Sequence, residues 1–282
     1  MQPIRVAALS PTFVPADKAH NLARARTGLE ACREQGVELA LFSEWYLTCC
    51  VDDRAYRCAE PIPDGPCAQE VIAMAREFGL IVGMGMEELD PATGVVYNTH
   101  FLAGPEGYLG KHRKTHLMVS EWQAHRPGDK LEVFDLGKIK AGLSICHENM
   151  YPETSRVLAL QGAEVILAPF ACGGSPDYVA PEVWRNDFHM ACWRARCFDN
   201  GVFMIVSGGN GHPQNRYRTY ACIIDPYAEV IAALSPEPDP EGLNLVVADL
   251  APEKFIARRT DANYPLKKRR PELYGKICEA YE

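Results

Sequence analysis

Three side chains in this sequence have the types that acyl chemistry needs: a cysteine, a carboxylate and an ammonium. Cys146 ends the apolar run KIKAGLSIC (138–146), six residues before Pro152. Proline favours the first position of a helix, so the sulfur is expected at a turn close to a helix N-terminus. Positive partial charge there stabilises a thiolate. Setting is what separates Cys146 from the other ten cysteines, because most buried cysteines are small inert hydrophobes. Glu44 ends a second apolar run, ELALFSE (38–44), and Lys114 lies in YLGKHRKTHL, just beyond a strand. Ligand sites in open α/β sheets gather at the carboxyl ends of strands. Taken singly, Glu44 and Lys114 read better as an ordinary structural ion pair.

The elements that must position these residues alternate along the chain. IRVAALS (4–10), LIVGMGMEEL (80–89), VVYNTHFLAG (95–104) and EVILAPF (164–170) read as strands. So do GVFMIVSGG (201–209), TYACIIDP (219–226), EVIAAL (229–234) and LNLVVADL (243–250). Leu22, Ala25, Leu29 and Cys32 recur at helical spacing, as do Trp184, Phe188, Ala191, Ala195 and Phe198. Further helices are expected near 67–78 and from Pro152. Interleaved helices and strands point to a layered α/β architecture. Four closely spaced strands near the end point to mixed sheets. A single domain over 1–282 is expected, with an extended C-terminal arm from about 252. GMGM (83–86) and GGNG (208–211) read as strand-end turns. His112 and His116 have the spacing of a helical metal pair but lack the H-E-x-x-H glutamate and a third ligand.

Composition narrows the classes. The formal charge of -8 argues against nucleic acid as a general partner. The basic run Lys267-Lys268-Arg269-Arg270 reads as a solvated segment. The N-terminus carries no signal-peptide pattern and no run is apolar for long enough to span a membrane. Eleven irregularly spaced cysteines without a C-x-x-C pair suit a reducing cytoplasm.

FSEWYLT around Glu44, KHRKTHL around Lys114 and GLSICHENMYPE around Cys146 resemble the three signature segments of the nitrilase, or carbon-nitrogen hydrolase, superfamily. LALQGAEVILAPF (158–170), RAR-x-x-DN (194–200), IIDP (223–226) and RRPELY (269–274) extend the resemblance over nearly the whole chain. It implies a four-layer α-β-β-α sandwich, a homodimer or larger homo-oligomer, and Glu44, Lys114 and Cys146 as a catalytic triad. Glu121, in HLMVSEW, matches the family's second glutamate, which supports the lysine. The implied activity is hydrolysis of a small-molecule amide with no metal or organic cofactor.

Each role has its own chemical reason. A thiolate is a strong enough nucleophile for an amide carbonyl. Lys114 and the backbone N–H of His147 would receive the oxyanion. Glu44 would shuttle the proton. Phe170 lies in a segment that lines the pocket in similar enzymes, and Asn210 is a second expected substrate contact. Glu148 stands where amidase-like members often carry aspartate, and His147 where nitrilases usually show tryptophan. The small-molecule amidase reading leads, N-carbamoyl amidohydrolase and nitrilase readings stay open, and an acyltransferase or a catalytically silent interaction protein are the remaining alternatives. A carbamoylase acting on a carboxylated substrate would present a cation, for which Arg126, Arg156 and Arg185 are candidates.

Overall fold

The computed structural model describes residues 1–49, 54–171, 188–208, 221–234 and 242–280. In chain order the first half runs β1 (Ile4–Leu9), α1 (Lys18–Glu34), β2 (Leu39–Leu41), α2 (Arg54–Cys58), α3 (Pro66–Phe78), β3 (Ile81–Leu89), β4 (Val96–Gly104) and β5 (Gly107–Arg113). The second half runs β6 (Val133–Asp135), β7 (Lys140–Leu143), α4 (Pro152–Leu160), β8 (Val165–Phe170), α5 (Phe188–Asn200), β9 (Phe203–Gly208), β10 (Ala221–Ile224), β11 (Val230–Ala233), β12 (Leu245–Leu250) and α6 (Pro252–Thr260).

The strands make two six-stranded sheets, ordered β12-β1-β2-β3-β4-β5 and β11-β10-β9-β8-β7-β6. In the first, β1, β2 and β3 are parallel, and β12, β4 and β5 pair antiparallel. The second repeats that plan: β7, β8 and β9 are parallel, with β6, β10 and β11 antiparallel. Reading β6 to β11 against β12 to β5 matches strand for strand, an internal repeat that the residues themselves do not display.

Alternation along the strands builds the layers. In β1, Ala7 and Leu9 face α1 and α3, where they pack with Ala25, Leu29, Val71 and Ala75. Val6 and Ala8 face the other way and meet Leu143, Val165, Leu167 and Ile205 of the second sheet. The outer face of that sheet, Ile166, Ala168, Met204 and Val206, is covered by Ala159, Trp193 and Cys197 of α4 and α5. Successive strand residues point to opposite faces, so one strand serves two cores. The result is the α-β-β-α sandwich that the resemblance implies.

Three expectations need correction. GMGM is not a turn: Gly83 and Gly85 lie inside β3. The tail beyond 252 does not start as an extended arm but as α6, with Pro252 and Glu253 in its first turn and Arg258 and Arg259 in its last. That distribution suits a helix start and the helix dipole. Arg258 anchors α6 by stacking on Phe198 at 4.1 Å and donating to the Phe198 carbonyl at 2.9 Å. Third, the strands that lead to Glu44 and Cys146 stop at Leu41 and Leu143. Trp45 and Cys146 adopt φ of +53° and +49°, which takes the chain out of the strand.

Candidate active site

Lys114 follows β5 directly, and its backbone N–H donates to the Asn98 carbonyl on β4 at 2.8 Å. Its side chain is 1% exposed. The ammonium donates to Glu44 Oε1 and to Glu121 Oε2, each at 2.8 Å. Glu44 comes from the turn after β2, and its Oε2 accepts the Ala171 N–H at 2.7 Å. Glu121 sits in a 3-10 turn (Val119–Gln123), where its Oε2 also accepts the Met118 N–H at 2.6 Å. The turn after β5 thus feeds one buried ammonium between two buried carboxylates.

Cys146 enters from the other sheet, at the start of a 3-10 turn (Cys146–Met150). Its sulfur lies within electrostatic reach of Glu44, Lys114 and Glu121. The strained turn is fastened by Asn149, whose Nδ2 donates to the Ser144 and Cys146 carbonyls at 2.9 and 3.0 Å. Glu148 fastens it from below: its carboxylate accepts the Ile145 N–H at 2.5 Å and the Thr115 N–H and hydroxyl at 2.7 and 2.6 Å. His112 Nε2 lies 3.0 Å from both Glu148 oxygens. One carboxylate therefore joins the cysteine turn to the residue that follows Lys114.

A carbon-nitrogen hydrolase family model matches residues 4–259. The chain belongs to the carbon-nitrogen hydrolase family. A nitrilase of Pyrococcus abyssi is 30% identical over 94% of this chain and 96% of its own. An omega-amidase of Saccharomyces cerevisiae is 30% identical over 98% of this chain and 96% of its own. The crystal structure of a Saccharomyces cerevisiae member of branch 10 of the nitrilase superfamily superposes with a TM-score of 0.81 at 26% identity, covering 95% of this chain and 97% of that one.

The electrostatics of this carbon-nitrogen hydrolase centre on the same side chains. Burial pushes the Cys146 thiol well above the ordinary cysteine range, Glu44 adds to the rise, and Lys114 only partly opposes it. Burial also raises the Glu44 carboxyl, against the pull of Lys114, while Glu121 pushes it further up. Lys114 sits above the ordinary lysine range: burial works against its charge, but Glu44, Cys146 and Glu121 outweigh that.

Other expected residues distribute around this centre. His147 is half-buried, with Nε2 3.3 Å from the Tyr151 hydroxyl, and burial and Lys114 lower its pKa. Phe170 is buried against Trp193, ring centroids 5.1 Å apart, in the apolar cluster that Cys146 abuts. Asn210, Arg185, Trp184 and most of GGNG lie outside the described residues. Arg126 is exposed and donates to the Trp122 and His125 carbonyls, while Arg156 donates to the Asp199 carbonyl. His112 and His116 share no helix: the first is on β5 at Glu148 and the second stacks on Tyr151 at 4.2 Å.

Two residues that matter escaped the sequence reading. Asn98 donates from Nδ2 to Glu44 Oε1 at 2.7 Å and to Glu121 Oε1 at 3.0 Å. Gly85 lets β3 approach the Glu44 turn: a Cβ there would lie 2.6 Å from the Trp45 nitrogen and 2.7 Å from the Ser43 carbonyl oxygen. The signal for Gly85 was present, since an isolated glycine in a strand pattern marks close backbone approach. Asn98, one polar residue in an alternating strand, carried none.

Proposed function

We propose that the chain hydrolyses a non-peptide carbon–nitrogen bond of a small amide through a thioester on Cys146, releasing ammonia or an amine and a carboxylic acid. The observation that carries this reading is the buried Glu44–Lys114–Glu121 group, bonded at 2.8 Å on both sides of the ammonium, with the Cys146 thiol against Glu44.

Glu44 takes the thiol proton as sulfur attacks the carbonyl carbon. The carbonyl π electrons move to oxygen, where the Lys114 ammonium and the His147 N–H balance the charge. A donor of this kind is worth about 100- to 1,000-fold in rate. Collapse breaks the carbon–nitrogen bond, and Glu44 returns its proton to the departing nitrogen. Water then loses a proton to Glu44 and attacks the thioester, and the thiolate leaves and regains a proton. Each positioned transfer contributes roughly 100- to 10,000-fold. Side chains and water complete every step. Glu121 holds Lys114 in place and does not itself exchange a proton with substrate. Phe170 and Asn210 are proposed as substrate contacts.

The nitrilase and omega-amidase names of the relatives support hydrolysis at a small carbon–nitrogen function. Cys32, Cys67, Cys146, Cys192, Cys197 and Cys278, free among the described residues, fit a reducing cytoplasm. Among the described residues no helix is long and apolar enough to cross a membrane. Leu160 and Phe188, exposed on α4 and α5, support self-association of the homodimer kind.

The test is ammonia release from short amides, carbamoyl amino acids and nitriles, in reducing buffer, by wild type and Cys146→Ala. Turnover that disappears in the variant supports the reading, and the preferred class decides the branch. Turnover that survives in Cys146→Ala defeats it.

A further inference from the structure

Asn98 is fixed on β4 with its backbone carbonyl bound to the Lys114 N–H and its side chain 1% exposed. Its Nδ2 carries two protons, and they go to two different carboxylates, Glu44 Oε1 and Glu121 Oε1. With Lys114 bonded to Glu44 Oε1 and Glu121 Oε2, the four side chains close into a ring. The ring divides the oxygens of Glu44 unequally. Oε1 accepts two hydrogen bonds, one of them from a cation. Among the described residues, the donor to Oε2 is the Ala171 N–H from the backbone.

We propose that Asn98 is a positioning residue that assigns the proton work of Glu44 to Oε2, by filling Oε1 and tying Glu44 to Glu121. The inference rests on the role proposed above for Glu44. A carboxylate oxygen that already holds two donors is a poor site for a third proton, so the thiol proton goes to the other oxygen. Two carboxylates on one ammonium also repel each other, and a like charge raises a carboxyl pKa. A neutral donor on Glu44 favours its ionised state, because a hydrogen bond to the charged form stabilises it. Asn98 does this without adding a charge that would compete with Lys114 for the substrate oxygen.

The groups that face Glu44 and its partner are few enough to name. Lys114, Glu121 and Cys146 act on Glu44 directly. His125 acts on the Glu121 side, but burial holds its pKa down at about 4, so it is neutral across the working range. His147 faces Lys114 and is also lowered, burial being the larger cause. None of these is removed by changing Asn98, so a shift in the pH profile reports the lost donor.

The experiment compares wild type, Asn98→Leu and Asn98→Gln. Hydrogen bonds to charged groups of this kind translate into about a 10- to 100-fold loss. Asn98→Leu keeps the volume and loses both donors; its kcat is expected to fall by that factor with KM little changed. Its acid limb of kcat/KM should move up by about one pH unit, since Glu44 no longer has the donor that holds its charged form. Asn98→Gln, which keeps the amide, should recover part of both. A melting curve taken in parallel separates loss of fold from loss of function. An acid limb that stays in place while kcat and melting temperature fall together would overturn the proposal and leave Asn98 a space-filler.

The same limb is also read without turnover, from the pH dependence of Cys146 alkylation by iodoacetamide. Wild-type alkylation with an acid limb but no turnover of any amide would refute the proposed function and not this inference. Alkylation limbs that coincide in wild type and Asn98→Leu would refute the inference and leave the proposed function standing.

Discussion

Glu148 illustrates how far a single residue reaches here. It is fully buried, yet its pKa is held down at about 2: burial opposes the charge, and His112 and the Thr115 donors outweigh it. A carboxyl whose folded pKa is depressed stabilises the native state above its unfolded value, near 4.3, and loses that contribution as pH falls toward the folded value. Two units correspond to roughly 3 kcal/mol. Glu148→Gln should therefore melt well below wild type at pH 7, with a gap that stays constant above about pH 5 and narrows toward pH 2. Thermal melts of both proteins across that range check it, and a gap independent of pH would show that the ionised carboxylate is not the source. At this scale the sequence disclosed residue types and order. Glu44, Lys114 and Cys146 stood out because three motifs coincide, whereas Asn98 did not, since nothing in VVYNTHFLAG separates a site amide from a strand polar residue.

Elements were legible in proportion to their length. The long apolar strands and α1, α3 and α5 follow from period 2 and period 3.6 patterns. β6 and α2 are too short, at 3 and 5 residues, to show a period. β5 carries two glycines and three basic residues in GYLGKHR, so its strand character comes from pairing with β4. Trp45 and Cys146 break their strands with positive φ, and no residue type announces this in a tryptophan or a cysteine. Those breaks depend on the neighbouring strand, which gives Gly85 a testable role. Its missing side chain admits the Glu44 turn, and the Leu47 N–H bonds its carbonyl at 3.1 Å. Gly85→Ala must displace backbone atoms of Ser43 and Trp45. We expect a loss of about 1–3 kcal/mol in stability and a larger proportional loss in kcat/KM, since Glu44 moves with the turn. Turnover assayed at a temperature where the variant is fully folded distinguishes the two effects, and unchanged turnover would show that other contacts alone hold Glu44.

Across the whole molecule, the two sheets contribute unequal halves of one site. Glu44, Asn98, Lys114 and Glu121 come from the first sheet and its connections, and Cys146, Glu148 and Ala171 from the second. The sheets are joined by buried side chains as well as by the apolar seam. The Ser207 hydroxyl donates to the Leu9 carbonyl at 2.5 Å, and the Ser10 hydroxyl to the Gly208 carbonyl. The first sheet is closed at β1 by β12, from the far end of the chain. A chain truncated before residue 245 would leave β1 as an open edge with unpaired backbone groups. We expect it to self-associate through that edge, seen as a shift to larger species in light scattering, and a well-behaved truncated protein would show that β12 is dispensable.

That late strand also sets a schedule. During synthesis the base and the ammonium leave the ribosome first, the thiol follows, and the strand that seals the first sheet emerges after both. The partners of the sulfur are already made when it appears, but the seam that holds them against it cannot be completed until β12 has emerged. Reactivity in this protein thus waits for β12 to reach back to β1.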